Sequence, residues 1–264
     1  MEESVSIAAR ESDLLLCQDR AVGNPNEARP VLLAHRGGAQ EGSPNSLEAI
    51  RSARAHGAGG VEIDVNESED GTLFVVHDAV YTTAARWISD LAGHDLPPVD
   101  GIEWSRRDLA DAVEAASADD LVVYLDLKSI RRTGVERILR EWNEPIRAGR
   151  MILASTRGEV LAYVAERVPA ATTSFLYYDP QLDIKSLASF VRPTYIHPCF
   201  DHLRDPLRSV DEHFVERARA LDFGLVSWSE NDGGRVGRLA DLGFDYICTD
   251  DLDTATAAIR PVEV

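Results

Sequence analysis

The sequence predicts an α/β protein folded as a (β/α)8 TIM barrel, with a short antiparallel hairpin arm after the second strand. Nine short β-like segments follow Pro30, and amphipathic helical stretches separate most of them, as is typical of parallel strands joined by crossover helices. Residues 66–72 are too short for such a crossover, so the strand after them must return antiparallel. Eight parallel strands remain. An open doubly wound sheet is the alternative, but no glycine-rich phosphate fingerprint follows the first strand.

The strands and helices follow one another in regular order after Pro30. The predicted parallel strands are residues 31–35, 61–65, 121–127, 151–154, 173–177, 194–197, 224–228 and 246–249, and the returning strand is 73–77. The clearest helical stretches between them are residues 46–56, 107–116, 133–142, 158–168 and 210–221. We therefore predict one barrel domain, residues 30–264, preceded by an acidic arm or docked helix at residues 1–29.

Composition and charge exclude several classes of protein. The chain has 264 residues, 44% of them apolar, and a formal net charge of -18. Such a charge disfavours direct binding to nucleic acid and to anionic membranes. The sequence also contains no run of about 18 or more apolar residues, the length that a membrane-spanning helix needs. The amino terminus lacks the basic start and apolar core of a secretion signal. We therefore expect a cytoplasmic protein without stable membrane association, whose oligomeric state the sequence does not specify.

Lysine is rare, since only Lys128 and Lys185 occur among 27 basic residues. An acidic, lysine-poor surface is consistent with a high-salt cytoplasm, and equally with a preference for arginine in an ordinary acidic protein. In either case, a lysine at the end of a strand in so lysine-poor a chain indicates a specific role at that position.

The second strand and its return carry ionisable groups. Glu62 and Asp64 share a face because side chains in a strand repeat every two residues. Between the strands lies Asp70-Gly71, which favours a two-residue turn. That turn would set Asp64 opposite His77, so that three ionisable side chains share one patch. The alternative is that one carboxylate faces solvent at a frayed strand end.

A second pair of charged residues ends the next barrel strand. Asp126 and Lys128 share a face of an otherwise apolar segment, where buried charges are costly unless they are paired or bind a cation. Oxygen ligands suit Mg²⁺ or Ca²⁺, whereas zinc more often recruits histidine or cysteine. A buried ion pair without a substrate is the alternative.

The first strand ends in His35-Arg36-Gly37-Gly38. A histidine there is suited to acid/base chemistry, and the neighbouring arginine to holding a phosphate. The alternative is a structural role, in which His35 caps the strand, Arg36 pairs with a surface carboxylate and the two glycines only turn the chain. Trp228 ends a later strand, where it would pack against a glycerol or acyl chain, or simply belong to the core.

Taken in order, these motifs resemble the glycerophosphodiester phosphodiesterase family. The family has a His-Arg-Gly, a Pro-Glu-Asn-Thr-like helix start, a Gly-Ala before Glu-x-Asp, an Asp-Gly, a His-Asp, a Glu-x-Lys strand, and closing Trp-Thr-x-Asn and Thr-Asp signatures. The corresponding segments here are His35-Arg-Gly37, Ser43-Pro-Asn-Ser-Leu47, Gly57-Ala58, Glu62-Ile-Asp64, Asp70-Gly71, His77-Asp78, Asp126-Leu-Lys128, Val226-Ser-Trp-Ser-Glu-Asn231 and Thr249-Asp250. Two positions depart from the family pattern, because Pro44 and Asp126 stand where the family has Glu.

The resemblance implies a metal-dependent phosphodiesterase that hydrolyses glycerophosphodiesters to glycerol phosphate and an alcohol. It implies His35 and His77 as the catalytic acid/base pair, and one divalent cation, Mg²⁺ or Ca²⁺, bound by Glu62, Asp64 and Asp126. Arg36, Lys128 and Trp228 would then bind the substrate. The alternatives are a lysophospholipase D-like enzyme on the same barrel and a catalytically impaired relative that binds metal or phosphate.

Overall fold

The computed structural model describes residues 29–38, 42–78, 80–81, 86–92 and 109–259. Nearly all of the predicted arm or docked helix at residues 1–29 lies outside the described residues, so that prediction and the domain boundary at residue 30 remain predictions. Within the described part of the chain, no helix combines the length and the apolar character needed to cross a membrane. The cytoplasmic location also remains a prediction.

Eight parallel strands form a closed barrel, which confirms the predicted fold class. These strands are β1 (Val31–Ala34), β2 (Gly60–Glu67), β6 (Val122–Leu127), β7 (Met151–Ser155), β8 (Thr172–Tyr177), β9 (Tyr195–Pro198), β10 (Gly224–Ser229) and β11 (Tyr246–Thr249). They follow one another around the barrel in this order, and β1 pairs with both β2 and β11 to close the ring. Three further strands, β3 (Leu73–Val75), β4 (Val80–Tyr81) and β5 (Arg86–Trp87), follow β2.

The helices lie between successive barrel strands, as expected for right-handed crossover units. They are α1 (Leu47–Ser52), α2 (Leu109–Ala118), α3 (Arg132–Glu141), α4 (Asn143–Arg147), α5 (Gly158–Arg167), α6 (Ile184–Phe190), α7 (Glu212–Arg219), α8 (Gly233–Asp241) and α9 (Leu252–Ile259). Their apolar faces and the outward side chains of the strands form the main core, in which Ile63, Leu125 and Leu225 are fully buried.

The barrel interior holds a smaller apolar cluster that includes Leu33, Tyr124 and Ile152. These side chains fill the barrel below the carboxyl ends of the strands, because residues two apart on a strand point to the same face. Tyr124 lies two residues before Asp126 on β6. The interior therefore changes from apolar to charged toward the mouth.

The hairpin arm is present, but its predicted register is wrong by one residue. Val65 pairs with Val75, and the Ser68 amide donates to the Thr72 carbonyl at 3.0 Å, so the loop has three residues rather than two. The Asp70 carboxylate accepts from the Ser68 hydroxyl at 2.6 Å and from the Thr72 amide at 3.2 Å, and Gly71 takes φ 84°. A polar loop of this kind, with its last residue left-handed, is the usual three-residue hairpin connection.

The register shift changes how His77 reaches the site. In a continuous strand, a slip of one residue would turn His77 to the opposite face. However, β3 ends at Val75, and the next residues leave the ladder after the Val76 amide donates to the Asp64 carbonyl at 3.1 Å. His77 is thus carried to the barrel mouth by an irregular segment and not by strand pairing.

Candidate active site at the barrel mouth

One pocket at the carboxyl ends of the strands brings together every site residue predicted from the sequence. This is the face on which barrels of this class build active sites. The predicted residues that line it are His35, Arg36, Glu62, Asp64, His77, Asp126, Lys128 and Trp228.

Three buried carboxylates form the centre of the pocket. Oxygen atoms of Glu62, Asp64 and Asp126 all lie within 4.8 Å of one another. Asp64 and Asp126 are direct neighbours across the β2–β6 ladder, which explains why the two motifs meet. Burial, followed by the charge of Asp64, raises the pKa of Glu62 to about 8. Burial also raises the pKa of Asp126.

Lys128 bridges two of these carboxylates. Its ammonium lies 3.1 Å from Asp64 Oδ1 and also contacts Asp126 Oδ2. Burial opposes the charged ammonium, but the charges of Asp126, Asp64 and Glu62 outweigh it, so the pKa of Lys128 is raised. Burial likewise opposes ionisation of Asp64, yet Lys128 and the Asn45 hydrogen bond lower its pKa overall.

The residues present fit a divalent cation. Asp126 Oδ1 is buried and has no hydrogen-bond partner among the described residues, and burial together with the charge of Asp64 raises the pKa of Glu62. Converging, all-oxygen ligands of this kind suit Mg²⁺ or Ca²⁺. Glu62, Asp64 and Asp126 would hold the cation.

A tight turn after β1 fixes the position of Arg36. Its backbone has φ 53°, and Gly37 and Gly38 have φ 91° and 90°. A Cβ on Gly37 would lie 2.9 Å from the Ile50 amide nitrogen, so α1 packs directly on this turn. The Arg36 amide donates to Glu62 Oε2 at 3.0 Å, and its Nε lies 3.3 Å from Asp64 Oδ2.

Asn45 provides support that the sequence reasoning did not identify. Its side-chain amide donates to Asp64 Oδ2 at 2.9 Å, and its backbone amide donates to the Arg36 carbonyl at 2.6 Å. Asn45 has φ 62°, a conformation that asparagine tolerates better than most residues. Asn45 therefore fixes both Arg36 and Asp64 in position, although Pro44 stands where the family has a glutamate.

His35 has a carboxylate partner that was also missed. Its Nδ1 lies 2.7 Å from Asp250 Oδ1, and Asp250 in turn accepts from Ser229 at 2.7 Å and from Asn231 at 3.0 Å. Burial disfavours the imidazolium, but the Asp250 hydrogen bond and the charges of Glu62 and Asp250 outweigh it, so the pKa of His35 is raised. The signal was present in the Thr249-Asp250 motif, which directly ends a barrel strand.

His77 also lines the pocket, from the segment that follows β3 of the hairpin arm. Its Nδ1 is 2.7 Å from Asp78 Oδ1, and its side chain is 43% exposed. Asn66 fixes this segment, because its amide donates to the Val76 carbonyl at 2.7 Å while its Oδ1 accepts from the Ser129 amide at 3.0 Å. The orientation of His77 thus depends on a buried asparagine of β2.

Trp228 lines the pocket from below and belongs mainly to the core. It is 2% exposed, its indole donates to Glu230 Oε2 at 3.0 Å, and its ring stacks on Phe200. His197 also lines the pocket, and its Nδ1 lies 2.8 Å from the Tyr124 hydroxyl. Burial, followed by the charges of His35 and Lys128, lowers the pKa of His197 to about 3, which keeps it neutral.

Comparison with known proteins gives a consistent result. Residues 35–254 match the model of the Glycerophosphoryl diester phosphodiesterase family. A glycerophosphodiester phosphodiesterase of Caldanaerobacter subterraneus is 24% identical over 246 residues, an alignment that covers 88% of this chain and 98% of the relative.

Solved structures share the same fold. The crystal structure of a glycerophosphodiester phosphodiesterase from Parabacteroides distasonis superposes with a TM-score of 0.73 at 20% identity, covering 88% of this chain and 97% of the other. A phosphodiesterase of Oleispira antarctica, solved in complex with the product sn-glycerol-3-phosphate, gives a TM-score of 0.73 at 19% identity over the same shares of the two chains.

Proposed function

Because this chain belongs to the glycerophosphoryl diester phosphodiesterase family, we propose that it uses one divalent cation to hydrolyse glycerophosphodiesters to glycerol phosphate and an alcohol. The observation that carries this proposal is the joint placement of two carboxylate-paired histidines and a three-carboxylate cluster in one pocket. That arrangement supplies both the charge and the proton transfers that a phosphodiester requires.

Hydrolysis of a phosphodiester needs neutralisation of charge at phosphorus. When bound by Glu62, Asp64 and Asp126, Mg²⁺ or Ca²⁺ would act as a Lewis acid toward a phosphoryl oxygen. Arg36 and Lys128 carry fixed positive charges in the same pocket, where they attract the anionic diester and stabilise charge that develops on its oxygens.

Proton transfer is assigned to His35 and His77. One imidazole accepts the proton of the nucleophile, which is water or a neighbouring substrate hydroxyl, and the other donates a proton to the departing alkoxide. Asp250 and Asp78 each lie 2.7 Å from Nδ1 of their histidine. With the proton on Nδ1, each carboxylate accepts from its histidine and Nε2 is the nitrogen that exchanges the catalytic proton. This is the orienting role of a carboxylate in an acid/base pair. We place Trp228 below the substrate, as part of the pocket floor.

A substrate and cation panel tests this function. The protein is assayed on glycerophosphodiesters and lysophospholipids with Mg²⁺, Ca²⁺ or EDTA, beside His35→Ala and His77→Ala. We expect glycerophosphodiester hydrolysis that EDTA abolishes, and losses of at least about 100-fold in kcat for each histidine variant. Activity that persists in EDTA or in both variants would contradict the mechanism. Faster turnover of lysophospholipids would favour the lysophospholipase D-like alternative, and no turnover would favour the impaired relative.

Cation binding has a readout that does not depend on turnover. A ligand that binds only the folded state stabilises it by about 2.7 kcal/mol at one hundred times its Kd. We expect millimolar MgCl₂ or CaCl₂ to raise the Tm of the wild-type protein, and this increase to shrink in Asp126→Asn. An increase of equal size in Asp126→Asn would show that Asp126 is not a ligand. The salt giving the larger increase identifies the preferred cation.

A further inference from the structure

The end of β10 contains an irregularity that places two consecutive side chains in the pocket. Ser227 pairs with Ile247 and Ser229 pairs with Cys248, so β10 advances two residues while β11 advances one, and Trp228 is the extra residue of a β-bulge. On a regular strand, Trp228 and Ser229 would point to opposite faces. Both instead line the pocket, as is typical of bulges that redirect side chains at barrel rims and beside active sites.

Each of these two side chains has a role in the proposed mechanism. Trp228 forms the pocket floor, where its ring stacks on Phe200. The Ser229 hydroxyl donates to Asp250 Oδ2 at 2.7 Å, and Asp250 Oδ1 lies 2.7 Å from His35 Nδ1. The geometry of the bulge therefore determines both the floor beneath the substrate and the position of the carboxylate that orients His35.

A buried carboxylate holds this bulge. Glu230 is 1% exposed, and its backbone amide donates to the Cys248 carbonyl at 2.8 Å. Its Oε2 accepts from the Trp228 indole at 3.0 Å and from Arg235 Nε at 2.8 Å, while its Oε1 accepts from the Asp232 amide at 2.8 Å. Burying a carboxylate is costly unless hydrogen bonds and a counter-charge satisfy it. Here the three donors come from the bulge and from the start of α8.

The same carboxylate fixes the bulge relative to α8. Asp232 caps the helix, because its side chain accepts from the Arg235 amide at 2.9 Å. Arg235 lies in the first turn of α8, and its guanidinium reaches back to Glu230. The helix itself is anchored in the core by the fully buried Val236. Glu230 thus connects the Trp228 indole to a helix whose position is fixed by packing.

We propose that Glu230 is a positioning residue of this active site. It ties the bulge to α8, which keeps Trp228 in the pocket floor and Ser229 in contact with Asp250. This inference rests on the proposed function, since the roles of Trp228 and His35 are assigned there. Glu230 stands at the position that the Trp-Thr-x-Asn signature leaves open, and it does not line the pocket, so it acts through its neighbours. The competing interpretation is a purely structural ion pair that stabilises the start of α8.

Steady-state kinetics of Glu230→Ala and Glu230→Gln test the proposal. The alanine leaves the Trp228 indole and the Asp232 amide without their acceptor, and the glutamine turns an NH₂ group toward at least one of the three donors. Because misplacing a group by about 1 Å can cost about 100-fold in rate, we expect kcat/KM for a glycerophosphodiester to fall by about 10- to 100-fold in Glu230→Ala and by less in Glu230→Gln. Each variant is assayed below its own Tm, and Glu230→Gln, which keeps the side-chain volume, carries the test if Glu230→Ala does not fold.

Asp245→Asn is the matched control. The Asp245 carboxylate also accepts from a backbone amide of β10, that of Leu225, at 2.6 Å, and it pairs with Arg219 at 2.9 Å. It precedes β11 at the amino ends of the same two strands and does not line the pocket. Its substitution should lower the Tm and leave kcat and KM unchanged.

Tryptophan fluorescence provides a readout that a loss of stability alone does not change. The difference in emission between each protein and its Trp228→Phe derivative isolates the Trp228 indole. Acrylamide should quench this component more strongly in Glu230→Gln than in the wild-type protein or in Asp245→Asn. Because residues in contact couple energetically, the loss of kcat/KM in the double variant Glu230→Gln/Trp228→Phe should be smaller than the product of the two single losses.

The outcomes separate the positioning role from the proposed function. If the wild-type protein hydrolyses no glycerophosphodiester, the proposed function fails, whereas the quenching of Trp228 still reports whether Glu230 holds the ring. If the wild-type protein is active and the Glu230 variants lower only the Tm, with wild-type kcat, KM and quenching, then the function stands and Glu230 is structural only. Losses that multiply in the double variant would show that Glu230 does not act through Trp228 and would also overturn the proposal.

Discussion

At the scale of single residues, the two histidines differ in their surroundings. His35 is largely buried and contacts Asp250, whose second oxygen is held by Ser229 and Asn231. The His77 side chain is more exposed, and its imidazole contacts the adjacent Asp78. A fixed carboxylate both orients an imidazole and favours its charged form. Asp250 should therefore restrict the orientation of His35, and favour its charged form, more strongly than Asp78 does for His77.

Replacing Asp250 with Asn should therefore change the pH profile. The Asp250 hydrogen bond contributes to the raised pKa of His35. Asp250→Asn should lower that pKa, moving the limb of the kcat/KM profile that reports His35 to lower pH, and should reduce kcat/KM by about tenfold or more. The measurement is the pH dependence of kcat/KM for both proteins.

Asp253→Asn is the matched control for this prediction. Asp253 also contacts a histidine, His56, at 3.0 Å, but neither residue lines the pocket. Its substitution should leave the pH profile unchanged. If the limbs of the Asp250→Asn profile stay at the wild-type pH values, or if the His35 limb moves to higher pH, then Asp250 does not favour the charged form of His35.

At the scale of secondary-structure elements, the hairpin arm depends on buried polar groups of β2. Glu67 is 3% exposed and accepts from the Arg131 backbone amide at 2.6 Å and from its guanidinium at 3.0 Å. Asn66, fully buried, bonds the segment before His77 on one side and Ser129 on the other. The arm and the end of β6 are therefore fixed to one another, and with them His77 and Lys128.

Asn66→Ala should reduce both stability and turnover. Removing the amide leaves the Val76 carbonyl and the Ser129 amide without that partner, which costs about 1–3 kcal/mol of unfolding free energy per unsatisfied group. Because His77 loses its positioning, kcat should fall by more than KM rises. Denaturant unfolding and steady-state kinetics measure the two effects.

Asn143→Ala provides the comparison for Asn66→Ala. Asn143, the first residue of α4, donates to the Leu139 carbonyl of α3 at 3.3 Å, and neither residue lines the pocket. Its loss should lower stability modestly and leave kcat unchanged in the folded enzyme. Should Asn66→Ala also lose stability with an unchanged kcat, Asn66 would be structural only.

At the scale of the whole molecule, the dominant feature is charge. The net charge of -18 generates self-repulsion that disfavours the compact state, while the catalytic pocket concentrates its own cationic groups around the carboxylates. Salt screens interactions between exposed charges, whereas buried pairs are screened much less. Added salt should therefore act on stability through the surface and affect the carboxylate–lysine cluster far less.

Thermal unfolding in KCl tests this expectation. We expect the Tm to rise as KCl increases from about 0.05 M to about 1 M, over which the Debye length shortens from about 14 Å to about 3 Å. Sucrose, which stabilises without screening charge, serves as the control for general exclusion effects. A Tm that stays constant or falls in KCl would indicate that surface repulsion does not limit stability, as in an ordinary acidic protein rich in arginine.

Local sequence patterns determined the eight parallel strands, the returning β3 and the carboxylates at alternate positions of β2 and β6. These features follow from side-chain periodicity and from the minimum length of a crossover, and both act over a few residues. All eight predicted site residues consequently line the pocket. The ordered motifs also identified the family.

Only the tertiary structure decided which groups contact one another. His35 and Asp250 are 215 residues apart, and they meet because barrel closure pairs Ala34 with Thr249 across β1 and β11. The register of the hairpin depended on the side chain of Asp70, and the burial of Trp228 depended on Phe200, which follows β9. Such contacts depend on how distant segments close and pack together, which no pattern within one segment contains.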